Sequence, residues 1–256
     1  MTAVLITNDD GIDSPGLVAL ASAALEAGLE VTVAAPSWDS SGASASLTGV
    51  RRDGRLLVEA RELDGLDVPA FAVEAAPALI ALTALRGGFG VVPELVLSGI
   101  NRGRNTGHAV LHSGTVGAPL TGMNDGASGL AVSIDSSEVR HWDTAAAVAV
   151  PVIRWVDACR PPAVINLNVP DLPLDELAGI CEAPLAAVGA VQTSVTDVTD
   201  GYVQLTFGEL ITEPEPGTDA HALAEGWAVV TAIRSLVAAS SESVPGLDRA
   251  GLRCTH

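Results

Sequence analysis

Short, uninterrupted apolar runs alternate along this chain with stretches whose apolar positions recur every three to four residues. Ala3-Val-Leu-Ile-Thr7 is the first such run and fits a strand buried on both faces. After a polar turn, Ser14 supplies an N-cap and Pro15 a pre-set first helical residue, so a helix is expected to about Ala27, where Gly28 stops it. Glu30 to Ala35 repeats the strand pattern and ends at Pro36, which makes residues 3 to 35 a βαβ unit and implies a parallel sheet. The same rhythm continues with Pro69 to Val73 extended, Pro77 to Arg86 helical and Glu94 to Leu97 a strand. A glycine-rich loop from Gly99 to Gly117 leads to a helix over Ala118 to Asn124. Gly129 to Ile134 (strand), Asp143 to Ala158 (helix) and Ala163 to Val169 (strand) close the series before the turn Pro170-Asp-Leu-Pro173.

Beyond residue 181 the helical period fades. Gly201 to Phe207 and Trp227 to Ile233 read as strands separated by a Pro- and Glu-rich turn, Glu213 to Gly217, and no pattern continues from Ser241. The organisation expected is therefore an α/β domain over residues 1–180 and a β-rich extension over residues 181–256.

Composition sharpens this picture. With 48% apolar but only 3% aromatic residues, the core must be built from Ala, Val, Leu and Ile, which suits close helix-on-sheet packing. Thirteen basic against thirty-one acidic side chains give a formal net charge of −18, which argues against a nucleic-acid polymer as partner. A small anionic substrate would then need local help, such as a cation. Cys159, Cys181 and Cys254 form neither a disulfide framework nor a CxxC metal motif. The chain begins without a basic leader, and its longest apolar stretch, Ala145 to Val156, is interrupted by Pro151 and Arg154. A soluble, cytoplasmic protein with no membrane partner is the expectation.

The first βα turn, Thr7-Asn8-Asp9-Asp10-Gly11-Ile12-Asp13, carries the strongest chemical signal. A dinucleotide-binding fold would place GxGxxG there, whereas this chain has two adjacent carboxylates, which repel each other and any phosphate unless a hard divalent cation lies between them. Oxygen ligation suits Mg²⁺ or Mn²⁺. The same pair would also serve as a polar turn favouring a helix N-terminus, and the turn alone leaves both readings open. Two further loops at strand ends are rich in neutral oxygen, Ser40-Ser-Gly-Ala-Ser44 and Ser98-Gly-Ile-Asn101. Past Asn105 and Gly107, Ser113-Gly-Thr-Val-Gly117 offers hydroxyls and free N–H groups as a phosphate cradle, or an ordinary helix cap.

Several absences discriminate as well. There is no GxxxxGK[ST], no GxSxG, no HExxH and no DxDx[TV], which removes support from P-loop, hydrolase-elbow, zincin and covalent aspartyl-phosphate chemistry. His108 and His112 are four apart but sit among glycines, so a phosphate contact or proton donation suits them better than zinc. Trp38 either stacks on a base or aglycone or packs on its own domain.

Taken together, these motifs resemble the SurE 5'/3'-nucleotidases, the stationary-phase survival protein family. The matching stretches are Ile6 to Ile12 with Pro15-Gly16, Ala35-Pro36 with Ser41-Gly-Ala-Ser44 and Ser46-Leu-Thr48, and Leu97 to Asn101 through Gly103, Asn105 and Gly107 to Ser113–Gly117. Asn166-Leu-Asn-Val-Pro170, Gly217-Thr-Asp219 and Gly226 to Thr231 follow in the family's order. The resemblance implies a Rossmann-like three-layer α/β/α fold with a mostly parallel sheet, and a C-terminal β-rich extension used to form a homodimer or homotetramer. It implies one divalent cation per subunit, held by Asp9, Asp10, Ser41 and Asn101. Asp9 and Asp10 would be the catalytic pair, while Asn8, Asn105, Ser113, Gly114 and Thr115 would meet the phosphate. The implied substrates are nucleoside 5'- and 3'-monophosphates.

This chain departs from the family pattern in places. Ser37-Trp-Asp-Ser40 stands where Asp-Arg-x-Arg is usual, Ala75-Ala-Pro-Ala-Leu79 replaces Gly-Thr-Pro-x-Asp, and Arg102 and Arg104 supply positive charge from another loop. The changes keep alive two alternatives, a phosphatase for a different small, specialised-metabolite phosphomonoester and a non-catalytic oligomeric binding protein with a vestigial site.

Overall fold

The computed structural model describes residues 1–187, 191–199, 202–209 and 213–234. The patternless stretch from Ser241, and Cys254 within it, lie outside the described residues. In chain order the N-terminal half contains β1 (Ala3–Thr7), α1 (Pro15–Glu26), β2 (Glu30–Pro36), the two-residue strands β3 (Arg51–Arg52) and β4 (Arg55–Leu56), β5 (Val58–Leu63), β6 (Leu66–Val73), α2 (Pro77–Ala84), β7 (Leu95–Arg102) and α3 (Gly114–Asn124). Then come β8 (Ser128–Asp135), α4 (Trp142–Ala158), β9 (Val164–Pro170), β10 (Gly179–Glu182), β11 (Val191–Thr199), β12 (Tyr202–Glu209), α5 (Asp219–Ala224) and β13 (Trp227–Ile233).

Nine strands form one sheet in the order β10-β13-β9-β8-β7-β1-β2-β6-β5. The run from β9 to β6 is parallel throughout, as βαβ crossovers require, and only the β13–β9 and β5–β6 pairs are antiparallel. Alternation along the strands separates two cores. Val4 and Ile6 of β1, with Leu95 and Leu97 of β7, join Leu17 and Leu20 of α1 and Ala149 and Ile153 of α4. Leu5 and Val96, one residue out of phase, join Ile80 of α2 and Ala118 of α3. Helices α1 and α4 thus cover one face and α2 and α3 the other, a three-layer α/β/α fold.

Three elements differ from expectation. Strand β7 runs on to Arg102 instead of stopping at Leu97. At Gly99 (φ 131°) a Cβ would fall 2.2 Å from the carbonyl oxygen of Val132, so only glycine lets β7 continue against β8, and the register shifts between Ser98 and Asn101. Helix α3 begins at Gly114, four residues before the expected Ala118, because Ser113 caps it through its Oγ, which accepts from the Val116 N–H at 3.1 Å. The C-terminal segment divides. Strands β11 and β12 pair as a separate two-stranded ribbon, whereas β13 enters the main sheet beside β9 and brings β10 with it as an edge. The boundary expected at residue 180 falls within β10, and Gly201 of the expected strand lies outside the described residues.

Candidate active site

The chain leaves β1 toward β2 through α1, on one face, and leaves the neighbouring β7 toward β8 through α3, on the other. Between the carboxyl ends of β1 and β7 a crevice must therefore open, the switch point at which open α/β sheets bind ligands. Asp9 and Asp10 follow β1 into that crevice, and Asn101 and Arg102 end β7 beside it.

The turn after β1 is held by Asn8. Its side chain is fully buried, with Nδ2 donating to the Gly11 carbonyl at 2.9 Å and Oδ1 accepting the Gly11 N–H at 3.1 Å. Both ends of the amide are thereby committed to the turn that presents the two acids. Asp9 is 4% exposed and faces α3. Thr115 Oγ1 donates to its Oδ1 at 2.5 Å, and the Thr115 backbone donates as well, so the carboxylate sits against the positive end of α3. Burial raises the Asp9 carboxyl above the ordinary 3.8, against the Thr115 hydrogen bonds that lower it. Gly114 permits this approach, since a Cβ there would lie 2.8 Å from Asp9 Oδ2.

Asp10 has different surroundings. Its Oδ2 accepts the Arg102 N–H at 3.3 Å, and the Arg102 guanidinium lies 4.0 Å from Oδ1. Burial, and after it the charge of Asp9, push the Asp10 carboxyl up to about 6. Two adjacent acids, both desolvated and both shifted upward, form a site that is short of positive charge. The neighbouring donors are hard oxygens. Asn101 gives its amide nitrogen to the Gly103 carbonyl at 2.7 Å, which turns Oδ1 away as an available acceptor. Ser40 anchors the serine loop to Asp9, its N–H donating to the Asp9 carbonyl at 2.7 Å. Ser41, the next residue, is exposed, and its Oγ donates to Asp39 Oδ1 at 2.6 Å; the Ser41 hydroxyl and N–H hold the Asp39 carboxyl below its ordinary range. Among the described residues no three His, Cys, Asp or Glu side chains converge on a metal position. Two carboxylates with neutral oxygens beside them are a donor set that fits a hard divalent cation such as Mg²⁺ or Mn²⁺. His108 and His112 are both exposed in a 3-10 turn, Gly107–His112.

Of the expected phosphate residues, Ser113, Gly114 and Thr115 are buried together at the start of α3, beside Asp9. Asn105 is clamped from β9. Its N–H donates to Asn168 Oδ1 at 2.8 Å, its carbonyl accepts from Asn166 and Asn168 at 2.8 and 2.9 Å, and its own amide donates to Ser133 Oγ at 2.8 Å. Arg104 is tied to Asp135 by two contacts at 3.1 and 3.2 Å, while the Arg102 guanidinium lies 4.0 Å from Asp10.

Sequence reasoning missed the supports. Asn166 and Asn168 were legible only as motif letters, although two asparagines at i and i+2 in an apolar strand already mark one face with polar partners. Asp219 is fully buried, and its carboxylate accepts from the N–H groups of Gly107, Ala186 and Ala220, each at 2.8 Å. It fastens the C-terminal segment to the turn that precedes the phosphate residues.

Comparison with known proteins agrees with this geometry. Residues 4–190 match the family described as Survival protein SurE. A 5'-nucleotidase SurE of Alkalilimnicola ehrlichii is 36% identical over 239 residues, covering 91% of this chain and 90% of its own. One from Stenotrophomonas maltophilia is 36% identical over 241 residues, covering 90% and 89%. The crystal structure of the SurE protein from Aquifex aeolicus superposes with a TM-score of 0.79 at 28% identity, covering 97% of this chain and 99% of that one.

Proposed function

Because the chain belongs to the SurE family, we propose that it is a divalent-metal-dependent phosphomonoesterase that hydrolyses nucleoside 5'-monophosphates, and 3'-monophosphates, to nucleoside and phosphate. The observation that carries this reading is the pair at the switch point, a buried Asp9 fixed at the start of α3 beside an Asp10 that lines the neighbouring cavity. Asp9, Asp10, Ser41 and Asn101 would hold the cation. When bound, the cation neutralises phosphate charge and acts as a Lewis acid at its oxygens.

The chain's own groups do the rest. The Ser113 hydroxyl keeps its proton free to donate while its oxygen caps Val116, and with the Gly114 N–H it would hold the phosphoryl oxygens at a helix start, where Thr115 fixes the adjoining Asp9. Asn105, its backbone clamped by β9 and its amide by Ser133, would meet the phosphate as well. Asn8 holds the turn so that the two acids keep their aim. Asp10 accepts the proton of the attacking water, since Asp9 is pinned by two hydrogen bonds from Thr115 whereas Asp10, held by the Arg102 N–H, borders the cavity.

Self-association to a homodimer or homotetramer belongs to the same proposal. It is supported by an apolar groove of about 330 Å³ bordered by Trp155, Ile165 and Ile180. A cytoplasmic setting is supported by Cys159 and Cys181, both free. No helix among the described residues is long and apolar enough to cross a membrane.

Phosphate release from nucleoside 5'- and 3'-monophosphates and p-nitrophenyl phosphate, with Mg²⁺, Mn²⁺ or EDTA, tests the reading. Metal-dependent release with preference for nucleotides supports it. Hydrolysis of the generic ester alone points to another phosphomonoester, and no release with either metal leaves a binding protein.

A further inference from the structure

Asp10 lines an open cavity of about 740 Å³ between the N-terminal ends of α1 and α4. The cradle lies on the other side of the acid pair, against α3. A phosphoryl group held by the cradle and the acids therefore turns its ester oxygen toward this cavity. Its size is that of a pocket enclosing a whole small molecule, far more than an attacking water needs.

We propose that this cavity is the leaving-group subsite and that it takes an uncharged aromatic nucleoside, stacked on Trp38. The proposal rests on the phosphomonoesterase reading and adds to it the residue that selects the leaving group, Trp38. Three observations select the occupant. Trp38 is 39% exposed on the cavity wall and joins no ring stack among the described residues, so an indole face is available. The backbone around it is anchored, Ser37 N–H to the Val73 carbonyl at 3.0 Å and Ser40 N–H to the Asp9 carbonyl at 2.7 Å, which fixes the place of Trp38 on the cavity wall.

The lining also sets the charge of the occupant. Asp10, Asp13, Asp39 and Glu138 outnumber Arg102 and Arg140, which disfavours a second phosphate and favours a neutral alcohol. Ser37, Ser137 and Asp13 offer hydrogen-bond partners for sugar hydroxyls and base edges, and Trp142, packed on Gly16, supplies an apolar wall.

Two readouts test the proposal. The first is the ratio of kcat/KM for adenosine 5'-monophosphate to that for glycerol 2-phosphate, with Mn²⁺, in the wild type, Trp38→Ala and Trp38→Phe. The second is quenching of tryptophan fluorescence by adenosine in EDTA. The ratio is expected to fall about tenfold in Trp38→Ala and to recover to within about threefold in Trp38→Phe. The adenosine-dependent quench is expected to vanish in Trp38→Ala. An unmoved ratio with an unchanged quench overturns the subsite. If no ester is hydrolysed, a quench lost in Trp38→Ala sustains the subsite while the phosphatase reading fails, and the absence of any quench in the wild type overturns the subsite by itself.

Discussion

On the α3 side of the switch point Asp9 is enclosed, 4% exposed, and given two hydrogen bonds by Thr115 before any ligand arrives. On the α1 and α4 side its neighbour Asp10 borders a cavity with an exposed tryptophan and a 55% exposed arginine. One turn thus serves two kinds of work. On the proposed reading the enclosed side holds the part of the substrate that never varies, a tetrahedral anion, which calls for rigidity and preorganised N–H groups. On the same reading the cavity side meets the part that varies between substrates, and Trp38 and Arg102 stand there. One peptide bond separates the enclosed acid from the acid that borders the cavity.

The largest way to break that separation is Gly114→Ala. Its Cβ would fall 2.8 Å from Asp9 Oδ2 and displace the pinned carboxylate. Turnover should drop roughly a hundredfold for every ester alike, with circular dichroism unchanged. A loss confined to nucleotides would mean that the enclosed side also reads the leaving group.

Asp219→Ala is expected next. It strips the acceptor from three buried or part-buried N–H groups, so unfolding by urea should show a loss of about 2–4 kcal/mol. Turnover in the folded fraction should fall for all esters together, because Gly107 leads into the cradle and not into the cavity. Asp219→Asn, which keeps one carbonyl oxygen, should lose less.

The smallest effect is a pH dependence. In protein stripped of divalent cations, both acids titrate above the ordinary 3.8, Asp10 near 6. The folded chain then holds protons that the unfolded chain has already released. Stability from this source is full below about 3.8 and is lost as pH rises through about 6. The cation-free melting temperature should therefore fall from pH 5 to pH 7.5, and by less in Asp10→Asn, which has no charge to bury there. Calorimetry with EDTA reads the difference between the two slopes, and equal slopes would mean that Asp10 is not desolvated.

How much of this could be read in the sequence depends on how local the cause is. The unit β1-α1-β2 was legible almost to the residue, because an apolar run, Ser-Pro at a helix start and Gly at its end act within a few positions. The edge strand β5, Val58–Leu63, was not, since its exposed Glu and Arg positions hide the pairing that β6 provides. Strand β13 was recognised as a strand but its place in the main sheet was not, because antiparallel pairing with β9 joins residues more than sixty positions apart. In the site, Asp9, Asp10 and Ser113 to Thr115 stood out as polar groups at strand and helix ends. The restraints on them did not. Asp219 holds Gly107 across 112 positions, and the commitment of Asn8 to Gly11 is a matter of side-chain direction. A motif names residues that meet, while their division between cradle and cavity follows from which face each helix takes.

Phosphate release from adenosine 5'-monophosphate by Asp10→Asn and by the wild type, each with Mn²⁺ and with EDTA, is the most direct test of the central claim. That claim is that the acid pair at the switch point is a metal-dependent phosphatase centre. The account predicts that the variant loses about 10²–10⁴-fold of the metal-dependent rate while its circular dichroism and oligomer size stay those of the wild type. Undiminished metal-dependent turnover in a correctly folded Asp10→Asn would contradict it.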